Sequence, residues 1–140
     1  MADRPRLPKV LSAVRTLMFV QSILGIAGGV FFVLIVALFG AGDGGAGLLA
    51  AFAVISTAVA VTLLACAILL PRRLPRVRVT AVAVEGVITA TALIGILVGL
   101  ADGSFPLMGI VPLAFSVPVL MNLLRHDVRA WFAGEEAALP

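Results

Sequence analysis

From Val79 to Ala101 the chain runs for 23 residues with one ionisable side chain, Glu85. As a helix rising about 1.5 Å per residue, this run spans roughly 35 Å, enough to cross a hydrocarbon core of about 30 Å. At about 100° per residue, Ala81, Glu85, Thr89, Ala92 and Gly99 share one narrow stripe. The bulky Val87, Leu93, Ile94, Leu97 and Val98 lie outside it. Lipid tails are as apolar as leucine, so helices in a bilayer associate through close packing and interhelical hydrogen bonds. The small, polar stripe is therefore expected to face other helices, and the bulky surface to face lipid. Glu85 lies six residues past Val79, roughly 9 Å into the span. A charged side chain costs about 2.5–3.5 kcal/mol at the centre of a span and less toward its edge.

Three further apolar runs occupy residues 17–39, 48–70 and 105–124, and charged residues make up only 12% of the chain. Soluble domains carry about twice that share. The reading is an all-α membrane protein: a four-transmembrane-helix bundle forming one domain (1–140), with spans near 17–39, 48–70, 79–101 and 105–124. The first run exceeds the 7–15 residues of a secretory signal core and reads as an uncleaved span. Cys66 stands alone, which excludes an intramolecular disulfide and a cysteine-built zinc site. No nucleic acid is expected, because the basic residues gather at helix ends, and no cofactor or metal is expected, since His126 has no second His or Cys suitably placed.

Residues 1–16 are basic (Arg4, Arg6, Lys9, Arg15), begin irregularly at Pro5 and Pro8, and run into the first span from Lys9. Gln21, Gly25, Gly28 and Phe32 share a face of that span, and Gly25 with Gly29 makes a GxxxG suited to close helix packing. Gly95 and Gly99 are the corresponding packing positions of the third span. Residues 40–47 are glycine-rich but lack the Lys-Ser/Thr ending of a phosphate-binding loop, so they read as a hairpin connection. Ala53, Thr57, Ala60, Leu64 and Ala67 form the small stripe of the second span, and Cys66 reads as a packing residue. Residues 71–78 (PRRLPRVR) hold Arg72, Arg73, Arg76 and Arg78, with two prolines that force a turn. This segment reads as a topology anchor, and such clusters also attract anionic lipid headgroups. Pro112 and Pro118 each remove a hydrogen bond from the fourth span. The tail (125–140) is expected to form a short interfacial helix anchored by Trp131 and Phe132, with His126 as a surface side chain.

All ten Lys and Arg residues fall in the N-terminus, the middle segment and the tail, while the two outer connections carry only Asp43 and Asp102. The positive-inside rule then places both termini and residues 71–78 in the cytoplasm of a plasma-membrane protein. On that frame Gln21, Cys66, Glu85 and Asn122 all lie in the cytoplasmic half at nearby depths. A polar layer is expected there, with Glu85 meeting Gln21 or Asn122, Thr89 on the same stripe, and Arg15 or Arg125 reaching in.

FGAGDGG and VGLADGS align on Asp43 and Asp102, the pattern of two parallel hairpins. In size and span number the chain looks like the small multidrug-resistance transporters, but those carry their membrane carboxylate in the first span. Here it is in the third, so their function is not carried over. The Ala/Gly/Val-rich spans and the ending LLRHDVRAWF resemble uncharacterised small four-span membrane proteins of actinobacteria, a resemblance that implies no activity. The function read from the sequence is that of a non-catalytic subunit, scaffold or regulator acting through helix packing on a second copy or another membrane protein. The alternative is a small proton- or cation-coupled transporter or channel using Glu85. An enzyme is not expected, since no nucleophile–base pair or paired carboxylates stand out.

Overall fold

The computed structural model describes residues 9–39, 46–105 and 107–134. The expectations placed on residues 1–8, 40–45 and 135–140 lie outside them. Helix α1 is Lys9–Phe39, α2 is Ala46–Leu69, α3 is Pro75–Ala101, α4 is Leu107–Leu124 and α5 is His126–Ala133, and among the described residues there is no strand. By length and apolar character α1, α2 and α3 can each cross a membrane, and α4 with α5, bent 60° between them, is a fourth candidate. The structure thus carries three to four candidate spans.

Small residues decide where the helices touch. A Cβ on Gly25 would lie 2.9 Å from the Ala60 Cβ, and one on Gly29 would run into the Thr57 side chain. Rising positions on α1 thus meet falling positions on α2, and the two helices are antiparallel. Gly28, expected on the same face, has nothing within 4 Å of where its Cβ would stand, and Phe32 is exposed. Helices α3 and α4 form a second antiparallel pair. They cross closely at Gly109, where a Cβ would lie 2.7 Å from the Ala92 carbonyl oxygen.

On α3, Ala81, Glu85 and Ala92 are buried, whereas Val87, Leu93, Ile94, Leu97 and Val98 are exposed. Gly95 departs from its expected packing role: nothing lies within 4 Å of its Cβ position, because α3 faces open space there. Gly99 is half-buried, and its carbonyl accepts from the backbone N–H (2.9 Å) and hydroxyl (3.1 Å) of Ser104.

The two pairs join most tightly at the end that carries the α2–α3 turn. Pro71 and Pro75 set that turn. A 3-10 turn, Leu70–Arg72, is followed by Arg73 in the left-handed region (φ 53°), an extended Leu74, and Pro75 at the start of α3. Leu11, Val14 and Met18 of α1, Leu63 and Leu70, Val119 and Leu123 of α4, and Val128 and Trp131 of α5 pack into one cluster. Helix α1 accordingly begins eight residues before its expected span, and its first two turns belong to this base.

Trp131 and Phe132, expected as interfacial anchors, are packed against the bundle: Trp131 is 2% exposed and Phe132 7%, and their rings meet edge to face at 4.9 Å. Helix α5 turns its apolar side onto the base instead of outward to lipid, and the Arg73 guanidinium covers the Trp131 ring at 4.6 Å.

Two consequences can be measured by thermal unfolding of the purified protein in detergent. Gly29→Leu should destabilise by about 1–3 kcal/mol through overpacking against Thr57, while Gly28→Ala should leave the midpoint in place. Trp131→Ala should cost about 3–5 kcal/mol, where a side chain lying at the bilayer surface would cost little.

Candidate functional site

Glu85 of α3 is fully buried in the bundle, where Gln21 of α1 reaches across to it. Gln21 Nε2 donates to its Oε2 at 3.3 Å. The remaining oxygen of each side chain, Oε1 of Glu85 and Oε1 of Gln21, is buried with no hydrogen-bond partner. A buried acceptor without a donor costs about 1–3 kcal/mol, more when it is charged, and this pair holds two of the four unpartnered buried side-chain atoms among the described residues, the others being Arg15 Nε and Trp131 Nε1. Its position follows from local sequence. Ala81, Thr89 and Ala92 keep the Glu85 face of α3 narrow, and the small residues of α1 share a side with Gln21.

The other residues expected in the polar layer are placed differently. Asn122 bonds within its own helix, Nδ2 donating to Pro118 O at 2.8 Å, so its amide serves α4 and not Glu85. The Arg15 guanidinium lies over the Phe19 ring at 5.4 Å, with its Nε buried and without a hydrogen-bond partner. Arg125 instead reaches Asp127 at 3.7 Å on the exposed surface of α5. Thr89 donates to Ser116 Oγ of α4 at 3.0 Å, one turn from Glu85, and Ser116 is fully buried. Ser116 went unread in the sequence because the α4 register on α3 follows from Gly109, whose contact carries no charge or motif.

A cleft of about 650 Å³ opens beside this pair, between the α1–α2 and α3–α4 pairs. Gln21 lines it together with Phe52 and Ile55 of α2, Val87 and Gly95 of α3 and Phe115 of α4. Gln21 and Val87 stand at the end nearer the base, and Gly95 at the far end. Phe52, Ile55 and Val87 are each about 60% exposed, so the cleft is open on the flank between α2 and α3. The open space beside Gly95 is part of it.

At the base, Arg78 Nε donates to the Leu123 carbonyl at 3.0 Å. It satisfies one of the last carbonyls of α4 and sets a positive charge at the negative end of that helix. Arg129 stands close enough to Arg78 to repel it. Arg72 and Arg76 are exposed. Among the described residues, no three His, Cys, Asp or Glu side chains gather as metal ligands.

The geometry sets an order of stabilities. Gln21→Leu strands the Glu85 carboxyl without its donor and should lower stability by about 1–3 kcal/mol. Glu85→Gln puts an amide in the same volume, keeps an oxygen that can accept from Gln21, and should fall within about 1 kcal/mol of the parent. Melting of the two purified variants in the same detergent checks the ranking.

Comparison of the chain with protein-family models, with curated proteins and with solved structures gives no match, so the site is read from its own geometry.

Proposed function

We propose that the chain is a small multi-pass protein of the cell membrane in which Glu85 and Gln21 form a proton or monovalent-cation site, making it a carrier or channel component. The observation that carries this reading is the pair of unpartnered buried oxygens, Glu85 Oε1 and Gln21 Oε1, with Gln21 forming part of the cleft wall. A single carboxylate matches a single positive charge. Rotation of the Gln21 amide exchanges its donor for its acceptor, so the pair can bond to Glu85 in either of its charge states. Ionisable groups inside membrane helices commonly mark ion and proton pathways. In this reading the base faces the cytoplasm with both termini, supported by the arginines gathered there and by the positive-inside rule.

A second reading, a non-catalytic subunit or regulator working through helix packing, is favoured by the close contacts at Gly25, Gly29 and Gly109. Such contacts make a rigid bundle that can present a face to a partner or to a second copy.

Glu85→Gln separates the two. Reconstituted in vesicles, the parent should carry protons or monovalent cations down a gradient. The variant should lose at least about tenfold of that flux while keeping the parent's oligomeric state. Loss of assembly in the variant, with no flux in the parent, would assign Glu85 to packing.

A further inference from the structure

Resting on the reading of Glu85 and Gln21 as a cation site, we infer that its ligand is an amphipathic primary ammonium ion that enters sideways from the bilayer, its apolar body in the cleft and its head at Gln21.

Three features of the cleft select this class. The first is the supply of oxygen. Small divalent ions take six or more oxygen ligands, and pores that strip a monovalent ion of water surround it with rings of carbonyls. This site has two orphan acceptors, both buried: Oε1 of Gln21, a residue of the cleft wall, and Oε1 of Glu85, which stands behind that wall and is reached only when the Gln21 side chain turns. An ammonium group is bonded by a few oxygens through its own N–H donors, and one carboxylate balances its charge.

The second feature is the wall. Beyond Gln21 and the hydroxyls of Ser56 and Thr91 the cleft is lined by apolar and aromatic side chains, among them Phe52, Ile55, Val87 and Phe115. Its volume of about 650 Å³ falls among small-molecule sites, which run to about 300–1,000 Å³ and pair an apolar lining with a few polar groups. A hydrated inorganic ion gains nothing from such a wall, whereas an alkyl or aryl body is desolvated by it.

The third feature is the entrance. The cleft opens on the flank between α2 and α3, where Phe52, Ile55 and Val87 are exposed. In a bilayer that flank faces lipid, so the ligand arrives by partitioning into the membrane. Its head then seats at the end of the cleft nearer the base, where Gln21 stands and the Glu85 carboxylate lies one hydrogen bond behind.

The chain holds one glutamine and one asparagine, Gln21 and Asn122. Labelling both side-chain amides with nitrogen-15 gives one NMR reporter at the site and one outside it. The full-length protein in phosphatidylcholine nanodiscs is titrated with dodecylammonium, dodecyltrimethylammonium and dodecanol. Dodecylammonium should shift the Gln21 amide saturably and leave Asn122 in place. Dodecyltrimethylammonium, which has the charge but no N–H, should bind at least about tenfold more weakly, and dodecanol should produce no saturable shift. Glu85→Gln should weaken dodecylammonium binding by about tenfold or more. Gly95→Phe should do the same by filling the cleft without disturbing the melting midpoint, since nothing stands within 4 Å of that Cβ position. Equal binding of the three amphiphiles, or binding indifferent to Gly95→Phe, would overturn the proposal. An unmoved Gln21 signal alongside Glu85-dependent proton or sodium flux would overturn the ammonium ligand and leave the cation site standing. An unmoved signal with no flux would remove both.

Discussion

The contact between Gln21 and Glu85 joins α1 of one antiparallel pair to α3 of the other. Apolar surface gives little reason for helices to meet inside a bilayer, since lipid solvates it equally well. What holds them is close approach of small residues and the need of each polar side chain to find a partner. Within each pair, glycines supply the first: Gly25 and Gly29 against α2, and Gly109 against α3. Between the pairs, Gln21 and Glu85 supply the second. A carboxyl turned to the hydrocarbon would be costlier still, so this bond fixes which face of α3 looks inward.

From that contact the molecule divides into two regimes. Toward the base, side chains interdigitate: Leu11, Val14, Met18, Leu63, Leu123 and Trp131 are at most 2% exposed. Helix α5 closes this end, Arg73 covers its tryptophan, and Arg78 satisfies the last turn of α4. Away from the base, the pairs diverge and leave the cleft. Local stability follows contact density, so the base is the stiffer end and keeps the polar pair in register.

Part of this was legible in the sequence. The stripe of Ala81, Glu85 and Ala92 announced the buried face of α3, because one helical turn fixes which residues share a side. The nearby depths of Gln21 and Glu85 pointed to their meeting. Depth alone left Asn122 as an equal partner, however, and the choice depends on helix rotation, which a single sequence does not encode. The cleft was illegible for the same reason. It arises from the divergence of two helix pairs, and Gly95 lines it with a residue that reads on paper as a packing glycine. The packing of Trp131 and Phe132 onto the base was likewise illegible, because it depends on the turn at Arg125 that bends α5 60° from α4.

The most direct measurement is a double-mutant cycle, read as thermal unfolding of the purified protein in one detergent. Gln21→Leu and Glu85→Leu should be non-additive by about 0.5–3 kcal/mol, since those side chains share a hydrogen bond. Asn122→Leu and Glu85→Leu should add, since the Asn122 amide bonds within its own helix. Coupling of Asn122 with Glu85 in place of Gln21 with Glu85 would mean that α3 turns its carboxyl toward α4, and the account of the site built on Gln21 would be contradicted.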